Sequence, residues 1–319
     1  MLKKFIKAAL FESLLNWIRI KKSDRNLKKI AEKKEIRCST TPSYLDFTKG
    51  KCAIRVSRQH WFYSRDIINS FDYYFDSVRP LKVNDTELVD YSTPRYHDVN
   101  GFDLMPVFFP SFSEPITTTQ QYLAFANLKP GYVVMDLGAY SGLTSIIFKE
   151  LVGNVGKVVA MDADKKNLDA IRRNFTLYKR LTGNDIEIKF GAIWNHCNGL
   201  SFSSEGNMGS SATEIVGKFR GDNNLIPSYT LSKLADLLEL KRVDFIKCDV
   251  EGAEKVIFED IDFLDKYNPR IIIEAHFVKG KETTDKCVAD LTRCGYVCKR
   301  IKQFGVSLPL IECYPPKTV

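Results

Sequence analysis

The sequence predicts an α/β protein: a doubly wound, largely parallel sheet over residues 116–319, preceded by an N-terminal extension of helical and mixed character. Three observations carry this. From "PITTTQQYLAFANLKPG" onward, short apolar runs alternate with helical stretches, the pattern of βαβ units whose strands are covered on both faces. The first such run, "VVMDLGAYSGLTS", passes from a buried strand through a small-residue turn into a helix start. The tail "GYVCKRIKQFGVSLPLIECY" reads as two strands about a Gly turn, which would close the sheet with antiparallel pairing.

Strands are predicted over 131–136, 156–161, 185–190, 243–248 and 270–275, and helices over 142–152, 165–180, 230–239, 253–266 and 283–294. Residues 36–115 form a mixed extension, with elements that would serve the acceptor side of a site. "HWFYSRDIINSFDYYFDSV" is a helix with an aromatic face, and "RPLKVNDTELVDYS" a strand, an Asn-Asp turn and a strand. Asn100-Gly101 marks a further turn. Residues 1–35 are a basic amphipathic helix and linker. Leu2, Phe5, Ile6, Ala9, Leu10, Leu14, Trp17 and Ile18 recur at helical spacing among Lys3, Lys4, Lys7, Arg19, Lys21 and Lys22. Such a helix suits a lipid interface or packing on the protein equally.

Hydrophobic content of 44% and charged content of 27% are those of a globular protein. The net charge of +8 allows an acidic partner but names none. The eight cysteines form no C-x-x-C pair and, with four histidines, complete no zinc-finger spacing. Reduced thiols and a cytoplasmic location follow as the expectation, with residues 1–22 a candidate peripheral contact to the inner face of the cell membrane. No run of about 18 apolar residues exists to span a bilayer.

In an open α/β sheet, ligands bind at the carboxyl ends of the strands. After the first strand stand Asp136, Gly138, Ala139, Tyr140, Ser141 and Gly142. Their G-x-x-x-G spacing is neither the G-x-G-x-x-G of dinucleotide sites nor a P-loop. A strand-terminal carboxylate repels a pyrophosphate but suits a cationic group, such as the sulfonium and ammonium of S-adenosylmethionine. The second strand ends in Asp162-Ala163, with Asp162 placed 20 residues after Gly142 to accept ribose hydroxyls. Asp164 is expected to cap the next helix. Ala192, Ile193 and Trp194 are candidates to pack on an adenine, with Asn195 as its polar partner; ordinary core positions are the alternative. The segment Asn198 to Ser211 is a hairpin or lid candidate.

In "VDFIKCDVEGAEKVIFED", Lys247, Asp249 and Glu251 recur at period 2 at the end of an apolar strand, where unpaired charge is costly. Lys247 and Asp249 could form a structural ion pair, or the acids could hold a substrate hydroxyl or a metal. "PRIIIEAHF" delivers Glu274 and His276 to the same edge. His276, oriented by Asp249, Glu251 or Glu274, is the expected general base, with Asp249, Glu251 and Lys247 beside it as catalytic candidates. No metal is assigned, although Asp249 and Glu251 could hold one Mg²⁺ through water.

Together these residues resemble the FkbM-type S-adenosylmethionine-dependent methyltransferases over about residues 115–312. The resemblance rests on "VVMDLGAYSGLTS", "VVAMDADKKNLDAIRRN", the "GSS" segment, "YTLSKLADLLELKRVDFIKCDVEGAE" and "IIIEAHF". It implies a Rossmann-like class I sheet of about seven strands with one reversed, and S-adenosylmethionine as cofactor. It implies that Asp136, Gly138, Tyr140, Ser141 and Gly142 hold the methionine portion, that Asp162 holds the ribose, and that Asp249 and Glu251 line the reaction side. The family's second strand usually ends in Glu-Pro, where this chain has Asp162-Ala163. Members typically methylate hydroxyls of sugars or of polyketide-like natural products. The expected activity is thus O-methylation of a sugar or glycolipid acceptor in surface-glycan assembly, with Trp61, Phe62, Tyr73 and Tyr74 as sugar-stacking candidates or core aromatics. The alternatives are ribose 2′-O-methylation of RNA, with Lys247 as base, methylation of a non-sugar metabolite, or a non-catalytic donor-binding protein. Base methylation of nucleic acid fits poorly, because "DVEG" stands where those enzymes carry Asn/Asp-Pro-Pro-aromatic.

Overall fold

The computed structural model describes residues 24–204, 211–212, 222–303 and 308–316. The basic segment 1–22 lies outside them. The chain divides into two compact units, Met1–Thr93 and Pro94–Val319. Residues 94–115, which the sequence assigned to the extension, therefore belong to the C-terminal unit.

In the N-terminal unit, a helix over 24–32 precedes a five-stranded sheet. Its order is Arg37–Thr40, Tyr44–Lys49, Cys52–Ser57, Thr86–Tyr91, Leu81–Val83. The predicted aromatic helix is three short pieces: a 3₁₀ turn at Arg58–Tyr63, then helices Ser64–Asn69 and Phe71–Phe75. Phe71 and Phe75 are core, whereas Phe62 is exposed. The Asn-Asp turn forms as read, with Asn84 at φ 53 between the last two strands.

The C-terminal unit opens with helix α1 (Ile116–Ala126), followed by β1 (Val133–Leu137), α2 (Leu143–Val152), β2 (Lys157–Asp162), α3 (Lys165–Thr182) and β3 (Glu187–Phe190). After the crossover come α4 (Leu231–Leu237), β4 (Phe245–Cys248), α5 (Glu254–Ile257), α6 (Ile261–Tyr267) and β5 (Arg270–Glu274). The unit closes with α7 (Thr284–Arg293), β6 (Val297–Lys302) and β7 (Pro309–Tyr314). The seven strands form one sheet in the order β3-β2-β1-β4-β5-β7-β6. Pairing is parallel up to β5 and antiparallel at β7. This is a doubly wound α/β sheet with its last strand reversed into the middle.

Val134, Met135, Leu137, Val159, Phe245, Ile246, Ile271 and Ile273 are sealed from solvent, as expected of strands covered on both faces. Each such side chain contributes about 1.5–3 kcal/mol on burial. Strand order reverses between β1 and β4, so the crevice for a ligand opens at their carboxyl ends. Register makes Asp136 and Lys247 direct neighbours there. A cleft of about 210 Å³ touching Tyr132, Asp244 and Arg270 lies at the opposite, amino-terminal end of the strands, remote from that chemistry.

Asp164 caps α3, accepting from the Lys166 N–H at 2.8 Å. The single helix predicted over 253–266 is broken into α5 and α6. Asp260 stops it: its carboxylate caps α6 through Phe263 N–H and also accepts from Ser232. The Asn198–Ser211 candidate is in part a strand, Leu200–Ser204, paired antiparallel with Ser211–Ala212 and Asp222–Ile226. Residues 205–210 lie outside the described set.

Candidate active site

At the end of β1 the chain turns with Gly138 at φ +81, Tyr140 at φ 50 and Gly142 at φ +82. Only glycine fits at 138, since a Cβ there would lie 1.7 Å from the Asp249 carbonyl oxygen. This contact brings the turn after β1 against the turn after β4. Lys247 Nζ donates to the Gly138 carbonyl at 2.6 Å and fixes the same contact from below.

The acids of this side are consumed by the protein. Asp136 is fully buried and accepts from Ser145 Oγ at 2.5 Å. Its other oxygen lies 3.3 Å from Lys247 Nζ, an ion pair without a well-directed hydrogen bond. The cation expected beside Asp136 is therefore the chain's own lysine, because a fully buried carboxylate has no face for a ligand. Asp162 accepts from the backbone N–H groups of Tyr140 at 2.9 Å and Asp164 at 2.8 Å, and from Asn167 Nδ2. It ties the two turns together, and burial pushes its carboxyl up to about 7. Tyr140 points inward, its hydroxyl donating to the Phe112 carbonyl at 2.7 Å and its ring stacking on Phe109. Ser141 donates to Glu114, and Ala139 is buried.

Gly138, Ala163, Ala192 and Glu114 stay partly accessible along this edge. Ile193 and Trp194 are core residues, packed with Leu231 and Leu234. Asn195 is paired with Glu259 at 3.0 Å. Of the candidates to pack on an adenine, Ala192 keeps an accessible face whereas Ile193 and Trp194 are buried, and the polar candidate Asn195 is exposed but engaged with Glu259.

The acids after β4 and β5 are placed differently. His276 Nε2 lies 3.5 Å from both Asp249 Oδ1 and Glu251 Oε1, whose side chains are 29% and 28% exposed. Behind the ring, Glu254 is fully buried; its Oε1 lies 3.2 Å from His276 Nδ1 and accepts from the His276 N–H and from Thr283 Oγ1. Its Oε2 accepts from the Gly252 N–H at 2.7 Å. Glu274 accepts from the Tyr122 hydroxyl and from Gln303 Nε2, each at 3.1 Å. Glu251 sits at φ 53, a left-handed conformation that costs a non-glycine residue about 1 kcal/mol or more.

These contacts decide the charge states. Burial opposes a charge on His276, but Glu251 and Glu254 outweigh it and hold the ring well above its ordinary value. The imidazole is thus an imidazolium near neutral pH and not the free base expected of it. Lys247 is likewise a fixed cation, because Asp136, Asp249 and Glu114 outweigh its burial, and this removes it as a base. Burial raises Glu251 despite His276, and pushes Glu274 and Glu114 up to about 7. Asp249 bridges the halves, its Oδ2 lying 3.5 Å from Lys247 Nζ.

Sequence reasoning missed Glu114 and Glu254. Glu114 precedes α1 in "SFSEP", outside the alternating pattern, and its only local signal is an acid before a proline. Glu254 is the last acid of "DVEGAE" and was legible as the residue three positions after Glu251.

A family model described as "Methyltransferase FkbM domain" matches residues 136–298, just over half of the chain. No curated protein matches. Among solved structures, the chain is similar to the methyltransferase FkbM from Methylobacillus flagellatus KT, with 15% identity and a TM-score of 0.46. That match covers 63% of this chain and 48% of the other. It is also similar to an O-methyltransferase from Bacillus cereus in complex with SAH, at 14% identity and a TM-score of 0.40, covering 64% and 82%. Aeropyrum pernix fibrillarin, solved with bound S-adenosyl-L-methionine, aligns at 12% identity with a TM-score of 0.38, covering 88% and 99%.

Proposed function

The chain belongs to the FkbM methyltransferase family and is an S-adenosylmethionine-dependent methyltransferase, and on that premise we propose that it methylates a hydroxyl of a sugar. The observation that carries the reading is the pair of half-buried carboxylates, Asp249 and Glu251, held on one imidazolium at the carboxyl ends of β4 and β5. Two adjacent carboxylates are acceptors matched to neighbouring hydroxyls, whereas an RNA phosphate would be repelled by them.

The donor fits the other half of the edge by charge. Glu114 and Asp162 are carboxyls that burial has left short of countercharge, which suits a ligand bearing an ammonium and a sulfonium and excludes a pyrophosphate. Glu114 would receive the ammonium beside Ser141, Gly138 would allow close backbone approach, and Asp162 with Ala163 would bound the ribose. When bound, S-adenosylmethionine supplies a methyl group already activated on sulfur. The protein's tasks are then to align the acceptor oxygen and to take one proton. We assign that proton to Glu251, whose raised carboxyl and strained backbone single it out among the accessible acids. His276, backed by Glu254, keeps Asp249 and Glu251 in position.

Among the described residues no helix is long and apolar enough to cross a membrane. A glycolipid acceptor would be met through residues 1–22, whose basic amphipathic pattern suits an anionic lipid surface. The reading is tested by incubating the full chain with methyl-labelled donor and a panel of sugar nucleotides, glycolipids, a polyketide and RNA. Label in a sugar hydroxyl is expected; label confined to RNA or to the polyketide overturns the sugar assignment.

A further inference from the structure

The cluster that orients the acceptor has a second property. Among the described residues, Asp249, Glu274 and His276 each offer one ligand atom, and these atoms lie within 4.8 Å of one another. We propose that Asp249, Glu274 and His276 form a divalent-cation site at the carboxyl ends of β4 and β5, with the Glu251 carboxylate in reach as a further oxygen ligand. Ligand atoms around one cation at metal–ligand distances of about 2.1–2.5 Å stand roughly 3–5 Å apart, so closing the site takes only small side-chain movements.

The residues behind the three ligands make the stronger argument. Metal-bound histidines commonly hand their second nitrogen to an outer carboxylate, and ligating carboxylates are themselves held by donors. Here His276 Nδ1 faces Glu254, which is fully buried and fixed by Gly252 N–H and Thr283 Oγ1. Glu274 is held by Tyr122 and Gln303, and Asp249 by Lys247. All three ligands are thus held by further protein groups. Such bracing fixes the tautomer with the proton on Nδ1 and leaves Nε2 to the cation, which takes the place of the Nε2 proton.

An independent sign comes from Gln303, only 2% exposed. Its Nε2–H goes to Glu274, while its Oε1 has no hydrogen-bond partner among the described residues. A buried amide oxygen beside the cluster is a group that a hydrated cation would satisfy through a bound water. Two or three carboxylates with one imidazole favour Mn²⁺ or Mg²⁺ over a zinc site rich in sulfur or histidine. The cation would sit where two hydroxyls of an acceptor can complete its coordination. That use rests on the sugar-methylation reading; binding of the cation does not.

The test is a titration of the full chain with Mn²⁺ alone, read by loss of the free-ion EPR signal, with donor titrated calorimetrically into the same samples. One Mn²⁺ per chain is expected, with affinity at least tenfold weaker in Glu274→Gln and His276→Ala while donor binding persists. Pulsed EPR on the unmodified protein should show coupling from one directly bound imidazole nitrogen, a readout independent of whether a variant folds. No Mn²⁺ uptake at millimolar concentration, or uptake without that nitrogen coupling, overturns the site. Mn²⁺ bound as expected with label found only in RNA would retain the site and remove its sugar role.

Discussion

The two halves of the ligand-facing edge are built from the same residue type and treat it in opposite ways. At the ends of β1 and β2, Asp136 and Asp162 spend their oxygens on Lys247, Ser145, Asn167 and backbone N–H groups. At the ends of β4 and β5, Asp249 and Glu251 keep more than a quarter of their side-chain surface and share one imidazolium. A buried carboxylate is tolerated only when its lone pairs are filled, and a filled carboxylate shapes the backbone but does not turn over chemistry. On the proposed reading, the first pair shapes the donor cradle and the second acts on what the cradle presents. Lys247 joins the two, touching Gly138, Asp136 and Asp249 at once.

The sharpest way to break this division is at the contact between the halves. Gly138→Ala would place a Cβ 1.7 Å from the Asp249 carbonyl oxygen at a φ of +81. The backbone cannot yield without separating the β1 and β4 turns, so a loss of more than about 3 kcal/mol is expected. Donor binding by calorimetry should vanish with it. Near-normal unfolding in urea would show that the two turns are not mutually braced.

Next in size is Lys247→Met, which leaves Asp136 charged and buried without its cation. Removing one member of a buried pair costs about 3–5 kcal/mol, and Asp136→Asn added to it should restore part of that. If the single variant loses less than about 1 kcal/mol in denaturant, Asp136 is not dependent on Lys247 and the cradle is held otherwise.

The orienting pair offers a pH signature. Glu254 is held below its ordinary value because the His276 and Thr283 hydrogen bonds outweigh burial, so its contribution is present above about pH 4.5 and is lost as pH falls through the lower folded value. His276 is raised, so its contribution is full below about pH 6.5 and is lost as pH rises through the higher folded value. Stability from the pair is thus greatest between the two. Glu254→Gln should cost about 1–3 kcal/mol at pH 6 and flatten the decline on both flanks. Unfolding curves at about pH 4, 6 and 9 that keep the same shape as the parent's would remove Glu254 from the orienting role.

How much of this was legible in the sequence follows the same division. Strands read true because β1, β2, β4 and β5 are largely apolar runs with an acid at or beside their carboxyl end, and parallel strands covered on both faces are apolar in this way. The charged strand ends were correctly expected to meet, since topology alone sends them to one edge. What the sequence did not carry is which charge neutralises which. Lys247 was expected to pair with Asp249 two positions along, and it does, but strand register also sets it directly beside Asp136, a partner the local sequence did not announce. Pairing across strands is a long-range property, and so is the gathering of Glu251 and Glu254 about His276 that outweighs burial and turns it from a base into a cation. The break at Asp260 was missed for a related reason: the aspartate's partner, Ser232, lies 28 residues away.

The mildest test concerns Glu114, an acid of the cradle side that remains partly accessible, and it asks whether the cradle is wholly structural. If its carboxylate meets the donor's ammonium, Glu114→Gln should weaken donor binding about tenfold, roughly 1.4 kcal/mol. Its effect on folding should depend on pH in a particular sense. Burial pushes Glu114 up to about 7 in the folded chain from an ordinary value of 4.5. Ionising it therefore disfavours the fold, and parent stability should fall as pH rises from about 5 to about 8. Glutamine cannot ionise. At pH 5, where the amide oxygen replaces the carboxyl as acceptor from Ser141, the variant should lie no more than about 1 kcal/mol below the parent, and it should overtake the parent by pH 8. Donor affinity unchanged across that range, with the stability curves crossing as described, would confine Glu114 to shaping the turn and leave the ammonium to backbone carbonyls alone.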